Sequence, residues 1–198
     1  MKKTVILATA CLALASCSPS AWTEEEISLI GSASDGVMRV FTVDDPADSL
    51  LLRTPSADLS VSALKSPQYS ALAGRMVATV TSPEQDGVGI AGPQVGLLRR
   101  VVAVQRFDKE GEPFEVYPNI RVSDRRGAGE LGREGCLSVP GRRGEVLRSR
   151  DIDITYTSLH SYQDTTERIQ GFTAVIFQHE CDHLDGILYT DYLDASGE

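Results

Sequence analysis

The stretch "GFTAVIFQHECDHLDG" (residues 171–186) decides the interpretation of this chain, because it places the pattern H-E-x-x-H on a predicted helix. Apolar residues at the start of the stretch predict a helix over residues 172–184, and the glycine at the end of the stretch provides a stop. At about 100° per residue, His179 and His183 lie about 40° apart on one helix face. Both imidazoles are therefore predicted to bind a single metal ion.

The residues between the two histidines have distinct expected positions. Glu180 is turned about 100° from His179, so it lies beside the ion and suits a general base acting on water. Cys181 points about 200° away and is expected in the core, whereas Asp182 is expected to be solvated or to support a neighbouring side chain. Two histidines at this spacing, in a chain with 3 His in total, favour a metal site over a chance pair in a buried helix.

The third metal ligand is not supplied by the usual protease patterns. Metzincin proteases place a histidine where this chain has Tyr189, and thermolysin-like proteases use a glutamate from a later helix. The tail after His183 is too short to form and return such a helix. The upstream candidates are His160, in a predicted turn, and Cys136, in "EGCLSVPG". Thiolate is the better ligand, so a Cys-His-His site with an open fourth position is predicted.

Three segments in chain order resemble the peptide deformylase family, whose motifs run G-x-G-φ-A-A-x-Q, E-G-C-φ-S and H-E-x-D-H. The corresponding segments here are "GVGIAGPQ" (87–94), "EGCLS" (134–138) and "HECDH" (179–183). The resemblance covers roughly residues 39–193. It implies an α+β fold in which antiparallel or mixed β-strands wrap a central metal-binding helix, and it implies removal of the N-formyl group from N-formylmethionyl peptides or proteins.

Carried over by position, the resemblance also implies roles for individual residues. Metal ligands would be Cys136, His179 and His183; catalytic groups would be Glu180, Gln94 and the backbone N–H of Leu137; substrate contacts would come from Gly87, Gly89 and Arg143. The resemblance favours Fe²⁺ as cofactor, whereas an oxidising compartment would favour Zn²⁺, and ligand type alone also admits Ni²⁺ or Co²⁺.

Two further expectations concern the loops of the site. Glu134 is expected to pair with Arg148 and brace the cysteine loop. Gly92 stands where the family motif has alanine, and this replacement is expected to loosen the first loop.

The first residues have the layout of an exported lipoprotein. Lys2 and Lys3 precede an apolar run, and residues 14–17 (Leu-Ala-Ser-Cys) resemble the bacterial lipobox, in which the cysteine is lipidated. We therefore predict a signal peptide over residues 1–16, a lipidated Cys17 with a tether over 17–38, and a catalytic domain over 39–198. An extracytoplasmic enzyme anchored in the bacterial envelope follows. Translation from Met38 would instead give a cytoplasmic enzyme.

Composition limits the partners. With 28 acidic and 19 basic residues the chain carries a formal charge of −9, which argues against nucleic acid. The expected partners are a formylmethionyl peptide and a membrane contacted through the lipid, and the chain is expected to be monomeric. The alternative to an enzyme is an exported metal-site lipoprotein that binds N-terminal peptides without turnover.

Local patterns predict the main elements of the domain. Ser66 as a cap and Pro67 at the first helical position begin a helix with an apolar face that extends to Val80. Strands are predicted over residues 97–107, 114–122 and 151–159, where short β-branched runs are bounded by turn residues.

Overall fold

The computed structural model describes residues 22–32 and 36–194 and contains helices and antiparallel strands in an α+β arrangement. The helices are α1 (Glu24–Ser32), α2 (Pro46–Leu52), α3 (Val61–Leu64), α4 (Pro67–Val80), α5 (Phe172–Leu184) and α6 (Thr190–Asp194). The strands are β1 (Gly89–Ala91), β2 (Val101–Gln105), β3 (Phe114–Pro118), β4 (Arg121–Arg126), β5 (Glu130–Cys136), β6 (Val139–Arg148), β7 (Asp151–Thr157) and β8 (Asp164–Gln170). A short 3-10 helix occupies Gly92–Val95.

Helix α5 lies at the centre of the molecule. The strands form three antiparallel sheets in the orders β1-β2-β3, β4-β7-β8 and β5-β6. Strand β2 is buried on both faces: Val101 and Ala103 pack with the cluster around α4, whereas Val102 and Val104 pack with the cluster around α5. The predicted α+β class, with strands around a metal-bearing helix, is confirmed.

The helix starting at Ser66 forms as predicted. The Ser66 hydroxyl accepts a hydrogen bond from the Tyr69 backbone N–H, and Pro67 is the first helical residue. The apolar face that repeats every three or four residues is buried, with Leu72, Met76 and Val80 fully enclosed. This helix closes one side of the core next to the first glycine-rich segment.

The predicted strand over residues 114–122 is divided in two. Asn119 has a left-handed backbone, with φ of 55°. Its side-chain amide bonds both backbone groups of Leu59, accepting from N–H at 2.7 Å and donating to the carbonyl at 2.9 Å. These bonds hold a turn that short polar side chains tolerate, so the chain leaves one sheet after Pro118 and enters another at Arg121.

The tether predicted over residues 17–38 is wrong for the part that the structure describes. Residues Glu24–Ser32 form helix α1, Ile30 is buried, and Trp22 packs against the α4 cluster. Thr23 and Glu26 form a capping box, with each side chain accepting a hydrogen bond from the other's backbone N–H. Folded structure therefore begins well before residue 39.

Long-range polar contacts fix α1 on the domain. Glu26 accepts from Arg99 at 2.6 Å, and both side chains are largely buried. The Trp22 indole N–H donates to the Ser66 hydroxyl at 2.9 Å. Trp22, which lies in the predicted tether, thus forms a hydrogen bond with the residue that caps α4.

Replacing Trp22 with alanine is expected to lower the melting temperature by about 4–8 °C. The substitution removes a half-buried aromatic side chain and a hydrogen bond, at a cost of roughly 2 kcal/mol in the free energy of unfolding. Thermal unfolding followed by circular dichroism measures the change. Ile27→Ala, on the exposed side of the adjoining helix α1, is the matched control and is expected to change stability by less than about 0.5 kcal/mol. Equal melting temperatures for Trp22→Ala and the unaltered chain would contradict a stabilising contact between Trp22 and α4.

Among the described residues, no helix has the length and apolar character needed to cross a membrane. The predicted signal peptide over 1–16 and the lipidated Cys17 lie outside the described residues.

Candidate metal centre

One thiol and two imidazoles converge at the centre of the molecule. Cys136, at the end of β5, offers its Sγ 3.1 Å from Nε2 of His183 on α5. Ligand atoms of Cys136, His179 and His183 all lie within 4.8 Å of one another. His160, the other upstream candidate, is exposed in a turn and is not a member of this group. The structure therefore brings together the three residues that the sequence predicts as ligands.

A buried carboxylate orients one of the imidazoles. Oε2 of Glu134 lies 2.9 Å from Nδ1 of His179, which leaves Nε2 free to face the thiol. Arg148 donates to Glu134 at 2.8 Å and to Asp182 at 2.6 Å, and all three of these side chains are buried. The expected pairing of Glu134 with Arg148 is confirmed. Asp182 takes the supporting role, because it accepts from Arg148 and from the hydroxyl of Tyr192.

The charges of this cluster favour the thiolate form of Cys136. Burial alone would raise the pKa of the Cys136 thiol, but the charge of His183 and hydrogen bonds with both histidines lower that pKa well below its ordinary value. Burial also opposes ionisation of Glu134, yet hydrogen bonds from His179 and Arg148 lower its pKa to about 2. A thiolate and a histidine held by a carboxylate are the ligand forms that divalent transition metals require.

Glu180 lies next to the ligand cluster but is not a member of it. Its carboxylate is buried, and burial raises its pKa to about 7 against the opposing charges of His179 and His183. Oε2 of Glu180 and Nδ1 of His183 are buried without a hydrogen-bond partner among the described residues. Unpartnered buried polar atoms are rare in folded proteins, and here they adjoin a donor set that suits a metal ion and its water. The site therefore fits the implied metal.

Gln94 reaches the cluster from the 3-10 helix. Its Oε1 accepts from the backbone N–H of Ala91 at 2.8 Å, so its amide nitrogen must point the other way. That nitrogen donates to Sγ of Cys136 at 3.6 Å and to Oγ of Ser138 at 3.2 Å. An N–H donor is thus held beside the prospective metal position.

A cleft of about 690 Å³ opens over these groups. The predicted substrate residues Gly87, Gly89 and Arg143 line it, and so does Leu137, whose backbone N–H is a predicted donor. A Cβ placed on Gly89 would overlap the Glu180 carboxylate and would lie 2.8 Å from Ile176 Cγ2. Glycine is therefore needed here for the backbone to run directly past the base.

Gly92 does not loosen its loop, contrary to the expectation. It is fully buried, and a Cβ placed on it would lie 2.5 Å from the carbonyl oxygen of Arg99 and 2.8 Å from that of Leu97. Backbone atoms on both sides leave no room for a side chain, so this glycine permits close packing.

Gly92→Ala is expected to destabilise the protein by about 1–3 kcal/mol, because the two carbonyl groups cannot move without shifting the chain. Urea unfolding measures the change. Gly74→Ala is the matched control: Gly74 lies on the exposed side of α4 with open space around it, so alanine is expected to stabilise by up to about 1 kcal/mol. Equal stabilisation by both substitutions would contradict the packing of Gly92.

One aromatic contact was not anticipated from the sequence. The ring of Tyr189 stacks on the imidazole of His179 at a centroid distance of 6.1 Å and an interplanar angle of 27°. In the sequence, Tyr189 is notable only because metzincin proteases have a metal-binding histidine at this position. The helix stop at Gly186 was the available signal, since it turns the chain back towards the histidines.

Comparison with known proteins identifies the family. Residues 37–198 match the polypeptide deformylase family. A peptide deformylase of Leptospira biflexa is 33% identical over 167 residues, which cover 81% of this chain and 89% of the relative.

Solved structures agree with this match. A class I type b peptide deformylase from Acinetobacter baumannii, with Met-Ala-Ser bound, superposes with a TM-score of 0.69 at 34% identity and covers 79% of this chain and 98% of its own. The enzyme from Thermotoga maritima gives a TM-score of 0.67 at 29% identity, with 79% and 97% covered. From its matched length, its fold and its Cys-His-His cluster, the chain belongs to the polypeptide deformylase family.

Proposed function

We propose that this deformylase removes the N-formyl group from N-formylmethionyl peptides on the outer side of the cytoplasmic membrane, while a lipid on Cys17 holds it in the cell envelope. The observation that carries the hydrolytic part is the cluster of Cys136, His179 and His183 at a cleft that Glu180 also lines. A divalent ion held by the three ligands supplies Lewis acidity to the site.

Glu180 supplies the proton transfers of the reaction. Its carboxylate accepts a proton from the attacking water, whose oxygen forms a bond to the formyl carbon. The same group then returns the proton to the leaving nitrogen as the carbon–nitrogen bond breaks. Formate and a free methionyl amine are the products. The pKa of about 7 that burial gives to Glu180 suits a group that must both take and return a proton near neutral pH.

Gln94 and the Leu137 backbone N–H stabilise the negative charge that develops on the formyl oxygen. The bond from Ala91 fixes the orientation of the Gln94 amide before substrate arrives, so little reorganisation is needed. A donor of this kind typically contributes about 3 kcal/mol to transition-state stabilisation.

Formate release from formyl-Met-Ala-Ser tests the hydrolytic activity. The full chain, purified in mild detergent with its metal content measured, is expected to release one formate per peptide. A fully metal-loaded protein that binds the peptide and releases no formate would instead establish the non-catalytic binder.

Fe²⁺ is proposed as the native ion, because the family resemblance favours it, with Zn²⁺ as the alternative in an oxidising compartment. Elemental analysis of protein purified without oxygen distinguishes the two. Iron at about one equivalent, with activity that decays on exposure to air, is the expected result, and zinc alone would overturn it.

The envelope location is supported by the lipobox-like residues 14–17 and by the packing of α1. A chain that starts at Met38 would lack Trp22, Glu26 and Ile30, and it would leave part of the α4 cluster uncovered. Palmitate labelling of cells that express the full chain tests the anchor. Labelling that persists in Cys17→Ser would exclude this anchor, and a wholly cytoplasmic enzyme would support initiation at Met38.

A further inference from the structure

Three arginines that form no ion pair among the described residues line the cleft. Arg133, Arg142 and Arg143 all contribute to the lining, and all are exposed. Among the described residues, none of the three has a carboxylate within ion-pair distance, whereas Arg148 on the same hairpin is buried between two carboxylates. Unpaired guanidinium groups gathered at one cleft are available for an anionic ligand.

The pairing of β5 with β6 explains why Arg133 and Arg143 are exposed whereas Arg148 is buried. In the β5–β6 ladder Gly135 stands opposite Arg143, and Arg133 stands opposite Glu145, so these residues project from one exposed face. The alternate residues, including Glu134 and Arg148, project to the buried face beside the metal ligands. Arg133 and Arg143 are diagonal neighbours, which typically lie about 7–8 Å apart, within reach of long side chains.

The charge around the cleft is positive although the protein is acidic. Of the acidic residues that line it, Glu134 is bound to Arg148 and Glu180 is buried at the base, which leaves Asp86 at the rim. Glu145 does not line the cleft. Three exposed cations therefore face one exposed carboxylate in a chain of net charge −9.

We propose that Arg133, Arg142 and Arg143 bind the carboxylate of a short peptide substrate, so that the enzyme prefers small free formyl peptides over long protein N-termini. This inference rests on the proposed function and specifies its substrate. The recognised group is a carboxylate two or three residues after the formylmethionine, supplied by the C-terminus of a short peptide or by an acidic side chain.

Arg143 lies close to the metal ligands along the β5–β6 hairpin. A Cβ placed on Gly135 would lie 3.5 Å from Nη1 of Arg143, so this guanidinium lies over the residue next to the ligand Cys136. An extended tripeptide spans about 10 Å. With its formyl group at the metal ligands, such a peptide is long enough to extend along the cleft that the three arginines line.

The test compares four peptides at low ionic strength with the full chain. Formyl-Met-Ala-Ser as the free acid is paired with its C-terminal amide, and formyl-Met-Ala-Asp amide is paired with formyl-Met-Ala-Asn amide. The free acid is expected to exceed its amide about tenfold in kcat/KM, and this ratio is expected to fall as salt is raised from about 10 to 200 mM. A preference for the aspartyl peptide alone would overturn the preference for short free peptides and would assign the arginines to an acidic side chain of the substrate instead.

Variants connect the preference to the arginines. In Arg142→Gln/Arg143→Gln the acid-to-amide ratio of kcat/KM is expected to fall to about one. Arg142→Lys/Arg143→Lys is expected to retain most of that ratio, because lysine keeps the positive charge. Arg125→Gln is the matched control, because Arg125 is exposed and has no ion pair among the described residues but lies on β4 outside the cleft. Melting temperatures of all variants verify folding.

Equal kcat/KM for acid and amide in the unaltered chain would overturn the inference and leave the deformylase activity intact. A preference that survives in a folded Arg142→Gln/Arg143→Gln variant would also overturn it. Failure to hydrolyse any of the four peptides would instead refute the proposed function.

Discussion

Glu180→Gln is expected to lower kcat by about a thousandfold while the bound metal stays at the level of the unaltered protein. Glutamine keeps the size of the side chain but cannot accept the proton of water, and general acid–base groups contribute on the order of 10²–10⁴ in rate. Glu180 is not among the three clustered ligands, so metal binding is expected to persist. Formate release under saturating substrate and elemental analysis of the same sample measure the two quantities.

The control for this substitution is Glu110→Gln, which alters an exposed carboxylate outside the cleft and is expected to leave kcat unchanged. Stability gives an independent check. Because Oε2 of Glu180 is buried without a partner among the described residues, removing its charge is expected to leave the melting temperature unchanged or to raise it. A Glu180→Gln variant that keeps full activity would show that another group takes the proton.

Cys136→Ser is expected to remove measurable activity and to weaken metal binding by at least about a hundredfold. A serine hydroxyl does not ionise near neutral pH, whereas the histidines lower the pKa of the Cys136 thiol well below its ordinary value. Dialysis against a chelator, followed by elemental analysis, compares the affinities.

The second cysteine of the described chain provides the control. Cys181 is buried in the α5 cluster, and burial raises its pKa to about 12. Cys181→Ala is therefore expected to keep the metal and to lose only stability. In metal-free protein a thiol reagent is expected to modify Cys136 rapidly and Cys181 only on unfolding. Retention of metal by Cys136→Ser would contradict the assigned ligand.

The sequence predicted those parts of the site that depend on local spacing or on ligand chemistry. His179, Glu180 and His183 follow from helix periodicity, and Cys136 follows from the preference for thiolate over a histidine in an exposed turn. The bounds of α5 were also predictable, since its apolar run and its glycine stop are adjacent in the chain.

The remaining parts depend on pairings between distant residues. The bond between Arg148 and Asp182 joins residues 34 apart, and the bond between Trp22 and Ser66 joins residues 44 apart. No local pattern specifies such partners. Gly92 was misinterpreted although its neighbours are close in the sequence, because the motif alone does not show that the carbonyl groups of Leu97 and Arg99 fold back onto it. The start of α1 did carry a local signal, the capping box of Thr23 and Glu26.

Helix α1 also touches the turn that carries the amide donor. A Cβ placed on Gly96, at the end of the 3-10 helix, would lie 3.1 Å from Cδ2 of Leu29 and 2.6 Å from the ring of Phe41. The backbone carbonyl of Gln94 in turn accepts from the N–H of Phe41. A chain trimmed to the family boundary at residue 37 would keep Phe41 but would lose Leu29, which packs beside the turn that follows Gln94. Inhibitors screened against such a shortened enzyme would bind next to a Gln94 turn that lacks its packing against α1.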